Sequence, residues 1–294
     1  RAIYLNFAKY ILSCQDSEGG IRWEPKSKLD PWDHIESAMG LDVLGFEEES
    51  KKAYDWLRAY QESDGSWLSL YHSPNKNDLK ETNFSSYIAV GMWHHYLNFN
   101  NKSFLKDFWP VLDSAIEFTL FAQSEHGDFS WAKEKDFWLD DALRTGCSSI
   151  LMSLICYKKI AKELNLKDRV SDEQLTNLRN CLRSRSFRFD RNWASKSRYS
   201  MDWYYPVLSG VYDKSESIKI LKEKWDEFVV DGLGCKCVKE EPWVTAAESS
   251  ELVLSLMRVG LKNEAEDILQ DTFNLIDEDG LLWTGYVFKD KKFW

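Results

Sequence analysis

Apolar residues recur at three- and four-residue spacing along most of the chain, and this spacing is typical of α-helices. Some segments carry apolar residues on one face and charge on the other, namely IYLNFAKYILSCQ, ESKKAYDWLRAYQ, FLKDFWPVLDSAIEFTLFAQ and DEQLTNLRNCLRSRSF. Less charged segments lie between them and are apolar around most of their circumference, namely HIESAMGLDVLG, TNFSSYIAVGMWHHYLNF, ALRTGCSSILMSLICYKKIA, MDWYYPVLSGVY and VTAAESSELVLSLMRVG. The pattern predicts amphipathic outer helices that alternate with more deeply buried inner helices.

A short acidic loop with a glycine and a tryptophan recurs after the amphipathic segments. QESDGSW at residues 61–67 is one form, and near-copies are QDSEGGIRW at 15–23, QSEHGDFSW at 123–131 and DEDGLLW at 277–283. Glycine readily adopts the positive φ that is common where a helix ends. We therefore expect positive φ at Gly19, Gly65, Gly127 and Gly280.

Outer helix, loop and inner helix form a unit of roughly 45 to 60 residues, a period that is typical of helical arrays and rings. The sequence predicts an all-α fold, an α/α toroid of about six hairpins that forms a single domain over residues 1–294. Only five inner helices are visible, because GYVFKDKKFW ends the sequence where a sixth would begin. Either the chain is truncated there or the ring is left open.

Composition narrows the possible partners. The 294 residues are 44% hydrophobic and 15% aromatic, which is enough for a large core. The formal charge of −10 argues against a nucleic-acid partner, because phosphate binding relies on clustered Lys and Arg. Six scattered cysteines indicate a reducing, cytoplasmic setting, and no apolar run approaches the roughly 18 residues of a membrane span. The expected partner is a small-molecule substrate.

The loops are similar to the QW repeats of squalene and terpenoid cyclases, and the helical pattern resembles the α/α toroids of protein prenyltransferase β subunits. The stretches DPWDHIESAMGL, SRYSMDWYYPVLSG and PWVTAAESSELVL resemble bacterial proteins of this superfamily that are labelled prenyltransferase. The resemblance covers most of the chain. It implies an α/α toroid and a substrate of the isoprenoid type.

The catalytic motifs of those families are incomplete in this chain. Class II terpenoid cyclases use the middle Asp of D-x-D-D as an acid, but FWLDDAL has Leu139 in front of Asp140 and Asp141. Protein prenyltransferases hold zinc through Asp, Cys and His. Here Cys235 and Cys237 have no Asp-x-Cys motif, and all histidines lie far upstream. We therefore expect neither a metal nor a cofactor.

The starts of the inner helices gather the unusual polar residues. Helix N-termini favour acceptors, and in a toroid these ends surround one funnel. We predict one site there, with the catalytic carboxylates Asp33, Glu36, Asp202 and Glu248. The predicted substrate-binding residues are Trp32, His34, Asn83, Arg198, Tyr199, Tyr204, Trp243 and Trp283. Burial is expected to raise the pKa of at least one carboxyl, which would then act as a general acid.

Three functions are compatible with such a site. The resemblance favours an enzyme that acts on an isoprenoid, with aromatic faces that stabilise positive charge. The residue chemistry alone favours a carbohydrate-active enzyme, a glycoside hydrolase or an epimerase, since paired carboxylates suit an oxocarbenium-like transition state. A toroid that binds a ligand without turnover is the third. On the resemblance, the isoprenoid enzyme ranks first.

Overall fold

The computed structural model describes residues 2–74 and 78–294. The chain is mostly helical, at 57%, and the strands of the described residues are only two or three residues long. The predicted all-α class is therefore confirmed. The chain divides into two compact units, Arg1–Arg188 and Phe189–Trp294. A single domain over residues 1–294 stays a prediction.

Helices of the first unit alternate between charged and apolar character. In chain order they are α1 (Ala2–Cys14), α2 (Pro31–Val43), α3 (Glu47–Tyr60), α4 (Thr82–Ser86), α5 (Ile88–Phe99), α6 (Lys102–Leu120), α7 (Arg144–Leu164) and α8 (Asp172–Ser184). The inner helix α5 packs against its inner neighbours α2 and α7 and against the outer helix α6. A three-stranded antiparallel sheet of β1 (Leu79–Glu81), β2 (Ala132–Glu134) and β3 (Phe137–Trp138) precedes two of the inner helices.

Three of the repeat loops fasten one hairpin to the next outer helix. In the second loop, Gln61 Nε2 donates to Gly65 O at 2.9 Å and to Val111 O of α6 at 2.8 Å. A Cβ on Gly65 would lie 2.2 Å from Ser114 O, so glycine also lets the two backbones touch. The loops at 15–23 and 123–131 repeat these contacts, with the acceptors Glu49 O of α3 and Gln174 O of α8.

All four predicted loop glycines have positive φ. The values are +96° at Gly19, +88° at Gly65, +94° at Gly127 and +78° at Gly280. That prediction is confirmed, and its physical basis is the absence of a Cβ that would clash in this backbone conformation.

The residue two places after the glycine enters the core in the first three loops. Ile21, Trp67 and Phe129 occupy this place and are buried. Trp67 Nε1 also donates to Leu57 O at 2.8 Å. Trp23 lies two residues further along its own loop and is 50% exposed. The recurring tryptophan of the sequence therefore does not mark one structural position.

The second unit continues the alternation. Its helices are α9 (Ser200–Leu208), α10 (Lys214–Glu223), α11 (Trp225–Phe228), α12 (Ala246–Val259) and α13 (Lys262–Thr272). The inner helix α12 packs against both α9 and α13. Short strands β4 (Val229–Val230) and β5 (Gly234–Cys235) pair with each other ahead of α12.

The segment where a sixth inner helix was expected to begin forms strands. β6 (Trp243–Thr245), β7 (Gly285–Val287) and β8 (Lys292–Phe293) make an antiparallel sheet in that order. The central strand β7 thus pairs with both β6 and β8, and β6 leads directly into α12. None of the helices in the described part of the chain has the length and apolar character needed to cross a bilayer.

Candidate active site

A cluster of carboxylates surrounds the start of α2, and the local sequence DPWD accounts for its geometry. Asp30 is the N-cap residue, and its Oδ1 accepts from the backbone N–H of Asp33 at 2.9 Å. Pro31 occupies the first turn, where a missing N–H costs no helical hydrogen bond. The cap therefore fixes the start of the helix and, with it, the position of Asp33.

The second oxygen of Asp30 is held by the first repeat loop. Trp23 Nε1 donates to Asp30 Oδ2 at 2.6 Å, and the Lys28 ammonium lies 3.7 Å from the centre of the Trp23 ring. Asp30 is only 5% exposed, and a buried carboxylate needs such donors. Asp30 was not among the predicted site residues, because an Asp–Pro pair ahead of a helix signals a cap and nothing more.

Glu36 lies one turn beyond Asp33, so the two carboxylates share a face of α2. The phenol of Tyr87 donates to Glu36 Oε1 at 3.0 Å. The Tyr87 ring stacks on Trp32 with a centroid distance of 4.0 Å and an interplanar angle of 6°. The structure therefore brings the predicted residues Trp32, Asp33 and Glu36 together. It adds Tyr87, which has no signal in the sequence beyond being one aromatic residue in an apolar segment.

Burial and mutual repulsion raise the proton affinity of this cluster. Burial, and then the charges of Asp30 and Glu36, raise the pKa of Asp33 to about 8, although solvent still reaches its side chain. Burial raises the pKa of Glu36 to about 7, against the opposing hydrogen bond from Tyr87. Glu81 ends β1, and burial and the charge of Asp30 raise its pKa to about 7. Protons therefore remain on this cluster at pH values where isolated carboxyls are ionised.

His34 has a structural role. It is fully buried, its Nδ1 accepts from the backbone N–H of Ile21 at 3.0 Å, and its Nε2 donates to Ala53 O at 2.9 Å. Burial lowers its pKa to about 4, which keeps the ring neutral. Since the backbone occupies both ring nitrogens, we remove His34 from the predicted substrate-binding residues. Asn83 lies beside Gly146 at the start of α7, and its role stays a prediction.

A second carboxylate group lies in the second unit, at the start of α12. The Thr245 hydroxyl donates to Glu248 Oε2, and the Cys237 thiol is placed to donate to the same carboxyl group. Burial, together with the Glu248 charge, raises the pKa of Cys237 to about 12, so the thiol stays protonated. One turn further along α12, Glu251 accepts from the hydroxyl of the buried Tyr204. Glu248 and Glu251 thus each accept a hydroxyl hydrogen bond near the start of α12, from Thr245 and Tyr204 respectively.

The predicted residues at the start of α9 surround a short 3₁₀ turn. Arg198 forms an ion pair with Glu240 at 3.2 Å, and its guanidinium carbon lies 5.9 Å from the centre of the Tyr199 ring. Asp202 is half-buried in the first turn of α9. Arg198 is therefore already paired with a carboxylate of the protein, that of Glu240.

The two predicted tryptophans near the end of the chain differ in burial. Trp243 meets the ring of Trp294 edge to face at 5.2 Å and packs on Gly285, where a Cβ would lie 2.3 Å from its Nε1. Trp283 is 42% exposed, and its ring centre lies 6.1 Å from that of Phe293. Trp243 is held by the β6–β8 sheet, whereas Trp283 presents much of its ring to solvent.

The predicted catalytic carboxylates therefore fall into two groups. Asp33 and Glu36 belong to the first unit, and Asp202 and Glu248 belong to the second. Their convergence on one cavity stays a prediction.

Comparison with known proteins distinguishes among the three functions. The chain is 35% identical over 288 residues to the MMP endo-(1,4)-3-O-methyl-alpha-D-mannosidase of Mycolicibacterium hassiacum, a match over 98% of this chain and 79% of that protein. The chain belongs to this mannosidase family. An uncharacterized glycosyl hydrolase of Methanocaldococcus jannaschii is 24% identical over 174 residues, which are 55% of this chain and 27% of that protein. No protein-family model matches the chain.

Solved structures of other proteins resemble this mannosidase-family chain in their fold. The GH63 mannosylglycerate hydrolase of Thermus thermophilus has a TM-score of 0.75 at 10% identity, over 97% of this chain and 94% of that one. A D-mannose isomerase has a TM-score of 0.71 at 11% identity, over 97% and 88%. At such low identity the match concerns the fold alone. The predicted α/α toroid is thereby confirmed.

Membership of the mannosidase family corrects the predicted function. The chain is a glycoside hydrolase-like enzyme, so the prediction of a prenyltransferase or terpenoid-cyclase relative with an isoprenoid substrate is wrong. The physical reason lies in the residues that carried the resemblance. The QW-like loops fasten hairpins to outer helices through Gln side chains and close glycine contacts, and such contacts are a property of the fold. The carbohydrate-active alternative, which rested on the carboxylates, is the better supported one.

Proposed function

We propose that this protein is an endo-acting glycoside hydrolase that cleaves α-mannosidic bonds in oligosaccharides of 3-O-methylmannose. The observation that carries the proposal is the 35% identity, over nearly the whole chain, to a mannosidase of that description. Glycoside hydrolysis requires one carboxyl that donates a proton and one carboxylate that acts as base or nucleophile. The residues at the start of α2 offer the first of these.

Asp33 is the general acid in this proposal. Burial, and then the charges of Asp30 and Glu36, raise the pKa of its carboxyl and so favour the protonated form, and its side chain is accessible from solvent. Donation of that proton to the glycosidic oxygen would let the leaving sugar depart as an alcohol rather than as an alkoxide. Water would add to the anomeric carbon with help from the second carboxylate, which takes up the proton of that water, and Asp33 would regain a proton from solvent. Glu248 remains the predicted second carboxylate.

Hydrolysis of a defined oligosaccharide tests the proposal. The purified protein is incubated with an α-(1→4)-linked oligosaccharide of 3-O-methylmannose, and products are sized by mass spectrometry while new reducing ends are counted. Internal fragments are expected, and D33N should lose at least about 10² in kcat. Asp55→Asn replaces an exposed carboxylate on α3 and should keep full activity. Intact oligosaccharide after long incubation with the wild type would overturn the proposal.

A reducing, cytoplasmic setting is also part of the proposal. All six cysteines are free thiols in the structure, and five of them are buried. Free buried thiols persist where the surroundings are reducing.

A further inference from the structure

We propose that Glu36 is a positioning residue whose negative charge, when present, favours retention of the proton on Asp33, and that the hydrogen bond from Tyr87 favours that charge on Glu36. The proposal rests on the proposed function, in which Asp33 is the general acid. It replaces the catalytic role that the sequence had predicted for Glu36. In this arrangement Asp33 donates the proton to the substrate, and Glu36, one turn further along α2, affects the pH range in which Asp33 is protonated.

The contacts of Glu36 are those of an anchored group. Tyr87 donates to its Oε1 at 3.0 Å, and the Trp32 side chain provides a second hydrogen bond to the carboxyl. The Trp32 and Tyr87 rings stack at 4.0 Å and 6°, so each fixes the orientation of the other. A carboxylate with two aromatic donors is fixed in place, and its hydrogen bonds favour the charged form. Asp33, by contrast, is reached by solvent.

The groups around Glu36 are nearly all acidic. Asp30 faces it from the loop before α2, Asp33 from the preceding turn of α2, and Tyr87 from the start of α5. Glu81 of β1 faces Asp30 in turn. Because like charges at short distance resist simultaneous ionisation, a charge fixed on Glu36 favours retention of the proton on Asp33. The Tyr87 hydrogen bond thereby directs the charge to Glu36 and the proton to Asp33.

Two substitutions should have the same effect for different reasons. Glu36→Gln removes the negative charge directly. Tyr87→Phe keeps the ring stack but removes the donor, so Glu36 takes up a proton more readily. Each change lowers the pKa of Asp33, so the loss of kcat/KM on the alkaline side should begin at a lower pH than in the wild type.

The chain supplies a matched control on its outer surface. Tyr60 stacks on Trp56 at 4.5 Å and 16°, and its hydroxyl donates to Glu18 Oε2 at 2.8 Å. This arrangement repeats the Trp–Tyr–Glu geometry of the proposed pair, but its Tyr60–Glu18 hydrogen bond is exposed and joins α3 to the first repeat loop. Tyr60→Phe should leave the pH profile of kcat/KM unchanged.

Two measurements on the full chain test the proposal. The first is the pH profile of kcat/KM on the 3-O-methylmannose oligosaccharide for wild type, E36Q, Y87F and Y60F. The second is a titration of the Asp33 carboxyl by ¹³C NMR, with D33N used to assign the signal. A lower Asp33 pKa in both E36Q and Y87F, with Y60F unchanged, supports the proposal. Loss of activity at every pH in E36Q, with an unmoved Asp33 titration, would overturn it and return Glu36 to the chemistry.

The NMR titration also separates this inference from the proposed function. A wild type that does not cleave the oligosaccharide refutes the function, whereas the Asp33 titration still tests the coupling to Glu36. Thermal melting shows which variants are folded. If E36Q does not fold, Y87F carries the test, because it deletes one oxygen atom and retains the stacked ring.

Discussion

The indole N–H of Trp23 lies 2.6 Å from Oδ2 of Asp30 and donates a hydrogen bond to it. This bond joins the end of the first repeat loop to the residue that caps α2. A residue that the repeat pattern had marked as part of a loop is therefore a support of the carboxylate cluster.

Trp23→Phe should destabilise the protein, because it leaves one oxygen of the buried Asp30 without its donor. The expected loss is about 1–3 kcal/mol in the free energy of unfolding, measured by urea denaturation. Trp283→Phe alters another loop tryptophan that is 42% exposed, and it should cost less than about 0.5 kcal/mol. Equal losses in the two variants would show that the contact with Asp30 contributes nothing.

Gly65 and Gly45 provide a matched pair for the close approach of loop and helix. Both have positive φ, +88° and +85°, so alanine at either position has the same conformational cost of about 1–2 kcal/mol. A Cβ on Gly65 would lie 2.2 Å from Ser114 O, whereas one on Gly45 would meet nothing within 4 Å. G65A should therefore cost about 1–3 kcal/mol more than G45A in urea denaturation. The contact would be irrelevant to stability if the two variants unfolded alike.

Because of Asp42, the free energy of unfolding should decrease as the pH falls through the acid range. Its carboxylate is buried and is contacted by His95 Nδ1 at 2.9 Å and His94 Nδ1 at 3.4 Å. Burial alone would raise its pKa, but hydrogen bonds from the two histidines and from Ser50 outweigh burial and lower the pKa. The stabilisation by the ionised group is therefore complete above the unfolded value of about 3.9 and is lost as the pH falls through the lower folded value.

Asp42→Asn should cost about 1.5–3 kcal/mol at pH 7, since it removes the charge that accepts hydrogen bonds from buried donors. The difference in unfolding free energy between wild type and D42N should shrink as denaturation is repeated at pH values falling towards about 3, below the unfolded value. Asp55→Asn, at an exposed position of α3, should show a small difference at every pH. A difference for D42N that stays constant with pH would contradict the role given to its charge.

Glu248→Gln should reduce kcat by at least about 10² while the melting temperature stays close to that of wild type. The amide keeps the size of the side chain and an oxygen that can accept from Thr245, so the fold is little changed. Glu266→Gln, at an exposed position of α13, serves as the control and should keep full activity. Full activity of E248Q would remove Glu248 from the predicted catalytic residues.

The helices could be predicted from the sequence because the apolar spacing of each segment reflects which side of the helix is covered. The φ values of the loop glycines followed from the absence of a side chain. The short strands could not be predicted, since β2 and β3 hold five residues between them and owe their pairing to the chain around them. The β7–β8 hairpin, which lies where a sixth inner helix would have begun, was not predicted for the same reason.

The candidate site was predictable only in part. Asp33 and Glu36 stood out as carboxylates within the opening of an inner helix, and Trp32 lay beside them. Tyr87 and Trp23 could not be found in this way, because their contacts with Glu36 and Asp30 join residues from different elements. The prediction of a prenyltransferase or terpenoid-cyclase relative was wrong because it was based on the loops, which are a property of the fold. The carboxylates, which are related to the chemistry, were given less weight.

Gln15, Gln61 and Gln123 each donate a hydrogen bond to the backbone of the next outer helix, and these three bonds are called glutamine ties here. Each tie joins residues 34, 50 or 51 positions apart, so the two bonded residues lie in neighbouring helical hairpins along the chain. Within the first unit, α3, α6 and α8 are thus each hydrogen-bonded to a loop that precedes them in the chain. An inserted residue near Glu49, Val111 or Gln174 would move the accepting carbonyl away from its glutamine. An insertion in the turn that joins an inner helix to the next outer helix would lie outside both the tied loop and the accepting carbonyl.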